Sequence, residues 1–421
     1  MKRKFLYNLL VLSLFIQSAF SQLAFPGSEG FGSESRHAYQ TEAEPKILKV
    51  TSLKEYGPNT LRWAISQDYP RIIVFDVSGI IHLSRDLYIR NPYLFIAGQS
   101  APFPGITITN GTLFIRSHNI LIQGLKLRYG VQTDRKQDCI SIGSARNSTY
   151  NIIVDHCSVS WGLDENIGIA GTHYGITVSN CIISEGIDTK NGNAYGLLAY
   201  DNGELSILKN LFIHNSDRNP LIKGESEKSL VYNNLIYNSD THCIYFGHKE
   251  EGNSKFEISA INNYYIQGEH NRNSNIITFS DRISSNAKAF LAGNIVENRI
   301  RKQWERGYTF NPVGSSIIAS KPLFEHPHTN IIPTSEIKTL VLNNCGAFPF
   351  NRDSIDDRLI NEVITKTGKR IRTPDEVGGF VKSNNTHHLT IPNKAHEDED
   401  KNGFTNIEEW LNELLFIKEI P

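Results

Sequence analysis

Residues 152–157 read Ile152-Ile153-Val154-Asp155-His156-Cys157, and the phrase returns as Ile176-Thr177-Val178-Ser179-Asn180-Cys181 and Leu205-Ser206-Ile207-Leu208-Lys209-Asn210-Leu211. It returns again as Leu230-Val231-Tyr232-Asn233-Asn234-Leu235 and Phe290-Leu291-Ala292-Gly293-Asn294-Ile295. Each copy holds a short β-branched or aromatic run, a polar or glycine position, and a second apolar pair. Aligning the residue before that second pair gives Gly98, Gly124, His156, Asn180, Asn210, Asn234, Asn263 and Asn294, in steps of 26, 32, 24, 30, 24, 29 and 31 residues. A unit of this length recurring along a chain is the mark of a solenoid. No helical periodicity separates the strand-like runs, which argues against helical repeats, leucine-rich repeats and alternating β–α folds. Three short strands with their turns fill one unit. The expected fold is all-β, a right-handed parallel β-helix.

The recurrent asparagine has a structural reading. Asn tolerates left-handed backbone at a tight bend, and its amide can bond the same residue one coil away. Asn180, Asn210, Asn234, Asn263 and Asn294 are therefore expected as a ladder, with His156 at the same position, rather than as a catalytic set.

Working outward, Lys2, Arg3 and Lys4 precede an apolar stretch from Leu9 to Ile16, and Ala19-Phe20-Ser21 supplies small residues at cleavage spacing. This predicts a signal peptide over 1–21 and a secreted protein, extracellular or periplasmic, with no membrane span after its removal. The β-helix is expected over 22–350. Residues 351–421 are more charged and predict an extension packed on the coil, ending in a short helix from Asn406 to Leu415. The 421 residues carry a formal net charge of −1 and no long Lys/Arg run, unlike a nucleic-acid binder. Hydrophobic residues make up 39% and charged residues 21%, enough for a packed core. The cysteines Cys139, Cys157, Cys181, Cys243 and Cys345 are odd in number and lack CxxC pairs, so they read as buried filler. The protein is expected to act as a monomer.

Four charged residues match the repeat length. Asp138, Asp164, Lys190 and Arg218 are separated by 26, 26 and 28 residues, about one coil each. On a shared face they would rise by roughly 4.8 Å per coil, the spacing of hydrogen-bonded strands. Two carboxylates, an amine and a guanidinium in one line suit an acidic sugar polymer. A cation held by Asp138 and Asp164 would bind a uronate carboxylate, with Lys190 as a second positive contact, and stabilise the charge that develops when the neighbouring proton leaves. Arg218 would lie nearest the carbon losing that proton, and Lys223 could bind the same or an adjacent carboxylate.

These residues sit in phrases that resemble the pectate lyases of polysaccharide lyase family 1. The resemblance begins at Ala24-Phe25-Pro26-Gly27-Ser28-Glu29-Gly30-Phe31-Gly32 and continues through Leu61-Arg62-Trp63-Ala64, Ala97-Gly98-Gln99-Ser100-Ala101-Pro102 and Asp138-Cys139-Ile140-Ser141. Its most specific segments are Asp155-His156-Cys157-Ser158-Val159-Ser160-Trp161 with Asp164-Glu165, and His214-Asn215-Ser216-Asp217-Arg218-Asn219-Pro220. Arg352-Asp353-Ser354-Ile355-Asp356 and Val377-Gly378-Gly379 follow in family order. The resemblance implies cleavage of galacturonan (polygalacturonate or pectin) by β-elimination, with Arg218 as the catalytic residue that removes the C5 proton. It implies Asp138 and Asp164 as Ca2+ ligands, and Lys190 and Lys223 as contacts for substrate carboxylates. An arginine base is chemically surprising, since its guanidinium is normally always protonated. The family often carries a further Asp at the position of Gly168. Glu165 could compensate, although neighbours on a strand point to opposite faces.

His156 and His214 are read as structural, and Trp161 as packing at a turn. Asp398, Asp400, Asn402 and Glu409, with Gly403 at the turn, match the twelve-position EF-hand loop and are a candidate second cation site. Thr405 and Glu408 equally form a capping box for the helix that follows. Two further functions are weighed: a pectin lyase acting on methyl-esterified chains, disfavoured because neutral esters need no cation bridge, and a non-catalytic carbohydrate-binding β-helix. No tight Asp–Asp pair supports a hydrolase.

Overall fold

The computed structural model describes residues 22–130, 136–143, 149–187, 193–247, 255–268, 275–297, 308–309, 314–325 and 328–417. Its strands stack in parallel ladders into a right-handed β-helix of three walls. The first wall runs through Leu87–Ile89, Leu113–Ile115, Ile140–Ile142, Glu165–Ala170 and the first halves of Tyr195–Leu208 and Leu221–Tyr232, then Ile244–Phe246 and Ile277–Phe279. The second wall includes Tyr150–Asp155, Tyr174–Ser179 and the second halves of the two long strands. The third wall, nine-stranded among the described residues, includes Lys126–Arg128, Ser158–Ser160, Ile182–Ser184 and Leu211–Ile213. Inward residues such as Ile140, Ile167, Leu197 and Ile222 are buried in one continuous core. The period-2 alternation of a strand puts the residues between them outside.

The walls differ in what covers them. Over the second wall lies the N-terminal segment, where the Phe31 N–H donates to Ser206 Oγ at 3.0 Å and the Gly32 N–H to Thr177 Oγ1 at 2.9 Å. A Cβ on Gly30 would come within 2.7 Å of the Ser206 Cβ, so this crossing needs glycine. Helix Asn406–Leu414 buries Ile407, Leu411 and Leu414 against the same wall's Phe95 and Leu121. Leu415, expected as its last residue, is the C-cap, and the Thr405–Glu408 capping box forms.

The third wall is sealed by helix Ser354–Thr365. Asp353 caps this helix by accepting the Ile355 and Asp356 N–H groups, and with Asp356 it grips the outward-facing Arg128 at 2.6, 3.0 and 2.8 Å. Lys126 Nζ stands 3.7 Å from Asp353, and all four charges are buried. Arg128 holds the Asp353 carboxyl well below the usual carboxylate range against the opposing effect of burial. The first wall has no such cover among the described residues: Tyr88, Phe114, Ser141 and Tyr245 are all half-buried on its outside. It is the face on which a polymer can lie.

The asparagine ladder exists, but it is two columns. Asn210, Asn234, Asn263 and Asn294 pass side-chain amide bonds upward at 3.1, 3.0 and 2.8 Å, and each Nδ2 also donates to a strand carbonyl. Asn180 is not a member. It pairs in register with Lys209, Asn233 and Asn262, and with them and His156 forms the neighbouring column of left-handed residues, at φ 50, 57, 56, 50 and 44 respectively. Bending and amide bonding thus fall to adjacent residues. The partner that shares a rung with Asn210 is Cys181, whose N–H donates to Asn210 Oδ1 at 2.9 Å.

His156 Nδ1 is bonded to Asp155 at 2.6 Å, and buried His214 lies between Glu362 and Asn238 at 3.0 and 2.7 Å. Trp161 is buried and donates from Nε1 to Glu185 at 3.0 Å. All five cysteines are free and buried. No helix among the described residues is long and apolar enough to cross a membrane.

Candidate active site

Three acids meet where the chain enters the middle coils of the open wall. Asp138 precedes strand Ile140–Ile142, Asp164 lies in the turn before Glu165–Ala170, and Glu165 opens that strand. One oxygen from each lies within 4.8 Å of the others, the only such group among the described residues. One coil of spacing predicts Asp138 level with Asp164, but the ladder aligns Asp138 with Glu165, since Ile140 pairs with Ile167 and the Cys139 N–H donates to the Glu165 carbonyl. Asp164 joins them because it sits in a turn, where strand alternation does not govern side-chain direction. Glu165, at the first position of its strand, also presents its carboxylate to the other two acids.

Each acid is held. The Glu165 N–H donates to Asp138 at 3.2 Å, and the Asn193 amide donates to Asp164 at 3.1 Å. Gly168 makes room for Asp138: a Cβ there would stand 2.3 Å from Asp138 Oδ2. A carboxylate at 168, which the family pattern expected, would require Asp138 to move aside. Burial and the charge of Asp164 push the Asp138 carboxyl up to about 7, against the opposing pull of Arg218 and Arg116. All donors are hard oxygens, and the acids repel one another, so the cluster fits a hard divalent cation.

Arg218 completes the site. It follows strand Leu211–Ile213 after a turn, has a left-handed φ of 63°, and its guanidinium pairs with Glu165 while lying 3.7 Å over the Tyr195 ring. Its N–H donates to Asp217 at 2.6 Å, and Asp217 in turn faces His242 Nδ1 at 3.1 Å. Beneath, a buried amide relay runs from Asn166 to Asn215 at 3.1 Å, to Asn219 at 3.0 Å and to Ser239 at 3.0 Å, fixing the turn against the coil of Glu165. Burial lowers the affinity of Arg218 for its proton, and Asp164 and Asp138 oppose that shift.

Lys190 lies outside the described residues. Lys223 is exposed on strand Leu221–Tyr232, paired with Tyr200 and 5.8 Å from its ring. Sequence reasoning missed Tyr195, Asn193 and the Asp217–His242 brace, which only the register reveals. At the C-terminal loop, Asp398 accepts the Asn402 and Gly403 N–H groups at 3.2 and 2.9 Å. The Asn402 amide there bonds Asp400 at 2.9 Å and Glu409 at 2.5 Å.

No family model matches the chain. It is 31% identical over 384 residues to the probable pectate lyase C of Emericella nidulans, covering 89% of this chain and 84% of that protein. To the probable pectate lyase C of Aspergillus flavus it is 30% identical over 421 residues, covering 93% and 94%. Among solved structures, the major allergen of cedar pollen superposes with a TM-score of 0.55 at 17% identity, covering 76% of this chain and 92% of that one. A pectate lyase bound to a hexasaccharide gives a TM-score of 0.51 at 15% identity, covering 79% and 100%. These superpositions establish a shared fold.

Proposed function

The chain belongs to the pectate lyase family, and from that premise we propose that it cleaves α-1,4-linked galacturonan by β-elimination, leaving a 4,5-unsaturated sugar at the new end. As a polysaccharide lyase it needs a base beside the C5 proton and positive charge beside the C6 carboxylate. The convergence of Asp138, Asp164 and Glu165 on Arg218, on the wall left open among the described residues, carries this reading.

Asp138, Asp164 and Glu165 would hold Ca2+. When bound, the ion supplies positive charge that draws the uronate carboxylate and makes its C5 proton more acidic. Arg218, with its proton affinity lowered by burial and its guanidinium held flat over Tyr195, takes the C5 proton. The C5–H pair becomes the C4=C5 double bond, the C4–O bond breaks, and the departing glycosidic oxygen gains a proton. Lys223 and Lys190 neutralise carboxylates of the bound chain. Export is part of the same proposal, and the leader at 1–21 that motivates it lies outside the described residues.

The test is direct. Purified protein incubated with polygalacturonate and calcium should generate the ultraviolet absorbance of the unsaturated product, and a chelator should suppress it. Arg218→Lys should lower kcat by about a thousandfold or more, because an ammonium cannot replace the planar fork. Absence of unsaturated product from both de-esterified and esterified pectin would sink the proposal.

A further inference from the structure

The open wall carries a second pattern that the acid cluster does not use. Reading outward residues up the coils, one register column runs Tyr88, Phe114, Ser141, Gly168, Leu198, Leu221 and Tyr245. Two residues further along each strand, a parallel column runs Arg90, Arg116, Gly143, Ala170, Tyr200 and Lys223, extending the paired registers by one residue at the lower coils. Small residues occupy the middle of both columns, beside the acids. Cations stand at both ends of the second one.

The lower cations are built in rather than incidental. Arg90 lies 4.1 Å over the Tyr88 ring, and Arg116 lies 4.6 Å over the Phe114 ring. The Arg116 guanidinium donates to the Ser141 carbonyl at 2.8 Å and to Ser141 Oγ at 3.2 Å. Neither arginine forms an ion pair among the described residues, although the charge of Asp138 acts on Arg116 from a distance. Beside Tyr88 and Arg90 opens a cavity of about 560 Å³, reaching Arg85 at one end and Gln137, next to Asp138, at the other. The other charges around it are committed. Arg62 is held by Glu55 at 2.6 Å, and Asp86 accepts the Thr112 N–H at 3.0 Å.

We infer that Arg116 and Arg90 are binding positions for the carboxylates of successive uronate sugars, extending the substrate groove two coils below the acid cluster. This rests on the galacturonan reading above. A sugar unit is about as long as one coil rise, so a chain lying along the wall meets a new guanidinium at each coil. Each guanidinium rests over an aromatic ring, so less side-chain freedom is lost on binding. The occupant is a polyanion because the column presents guanidinium groups that no carboxylate of the described residues pairs directly, and a neutral chain would gain less from them.

The experiment compares Arg90→Ala, Arg116→Ala, Arg90→Lys and the wild-type protein on galacturonate oligomers of three and of eight units. Both cleavage and calorimetric binding are read. The exposed Lys288→Ala, on the second wall, controls for a change in net charge. Each alanine variant should raise KM and weaken binding by about five- to tenfold for the octamer, the weight of one charge-assisted contact, and Arg90→Ala, farther from the acids than Arg116, should leave the trimer values in place. Arg90→Lys should recover part of the loss, and Lys288→Ala should change nothing. An equal effect of Arg90→Ala on both lengths, or no effect of either alanine variant on the octamer, overturns the inference. Failure of the wild-type protein to form unsaturated product, with length-dependent binding still lost in the variants, overturns the lyase reading and leaves the binding positions standing.

Discussion

At the residue scale, the acid cluster depends on an atom that is missing. Gly168 stands where relatives of this fold often place a carboxylate, and here that space is filled by Asp138, folded back across the strand. Glu165 supplies the third acid from a position that simple alternation would turn away. The carboxylates have therefore gathered at the turn rather than along the strand, and the cluster's geometry is set by how closely Asp138 can approach the backbone at 168. Adding one methyl group tests this. Gly168 has no positive φ, so alanine is tolerated by the chain, but its Cβ would force Asp138 to swing aside. Gly168→Ala is expected to raise the calcium concentration needed for half-maximal activity by about tenfold, the usual cost of disturbing a ligand's support, with little change in melting temperature. Unchanged calcium titration would show that Asp138 is not held by this contact.

At the scale of the element, the bend between the second and third walls is locked by an internal line of amides. Asn234 accepts the Asn210 backbone N–H at 3.0 Å and its amide at 3.1 Å, while donating to Asn263 and the Ile207 carbonyl. Leucine at 234 matches its shape but leaves donors and acceptors on both neighbouring coils buried without partners. Asn234→Leu should cost about 3 kcal/mol, read as a lower urea midpoint at unchanged slope. A cost below about 1 kcal/mol would mean that the ladder decorates the bend rather than holding it. The repeat behind this ladder was legible because every coil returns similar residues to similar places. Its phase was not. Between Cys181 and Asn210 the chain takes 29 residues, not the 30 that aligning Asn180 with Asn210 assumes, because turn length is free to vary while strand pairing is not. The same slack hid the alignment of Asp138 with Glu165. Asp138, Asp164 and Arg218 could be found as charges near one coil apart, whereas Tyr195 beneath Arg218 and Arg116 beside Phe114 become visible only when the ladders are in register.

For the whole molecule, the division of labour among walls explains why function sits on one of them. The N-terminal segment and helix Asn406–Leu414 close the second wall and helix Ser354–Thr365 closes the third, so the covering segments are part of the fold's stability rather than appendages. His37 in the N-terminal segment shows how tightly that cover is made. It is 1% exposed, and burial lowers its pKa from 6.5 to about 3. A folded-state pKa below the unfolded value means that the native protein refuses a proton which the unfolded chain accepts. The stability this segment provides is complete above pH 6.5, falls as pH drops below it, and goes on falling until about pH 3. Between pH 6.5 and pH 5 the loss from this one group should be about 2 kcal/mol, at about 1.4 kcal/mol per unit. In a His37→Asn variant the amide side chain would not titrate, and asparagine accepts the left-handed φ of 45° found at this position. Urea midpoints at pH 7.5 and pH 5 should therefore converge in the variant by that amount relative to the parent, since the carboxylates contribute equally to both. Parallel pH profiles for the two proteins would mean that the N-terminal cover opens before His37 is asked to ionise, and that the second wall stands without it.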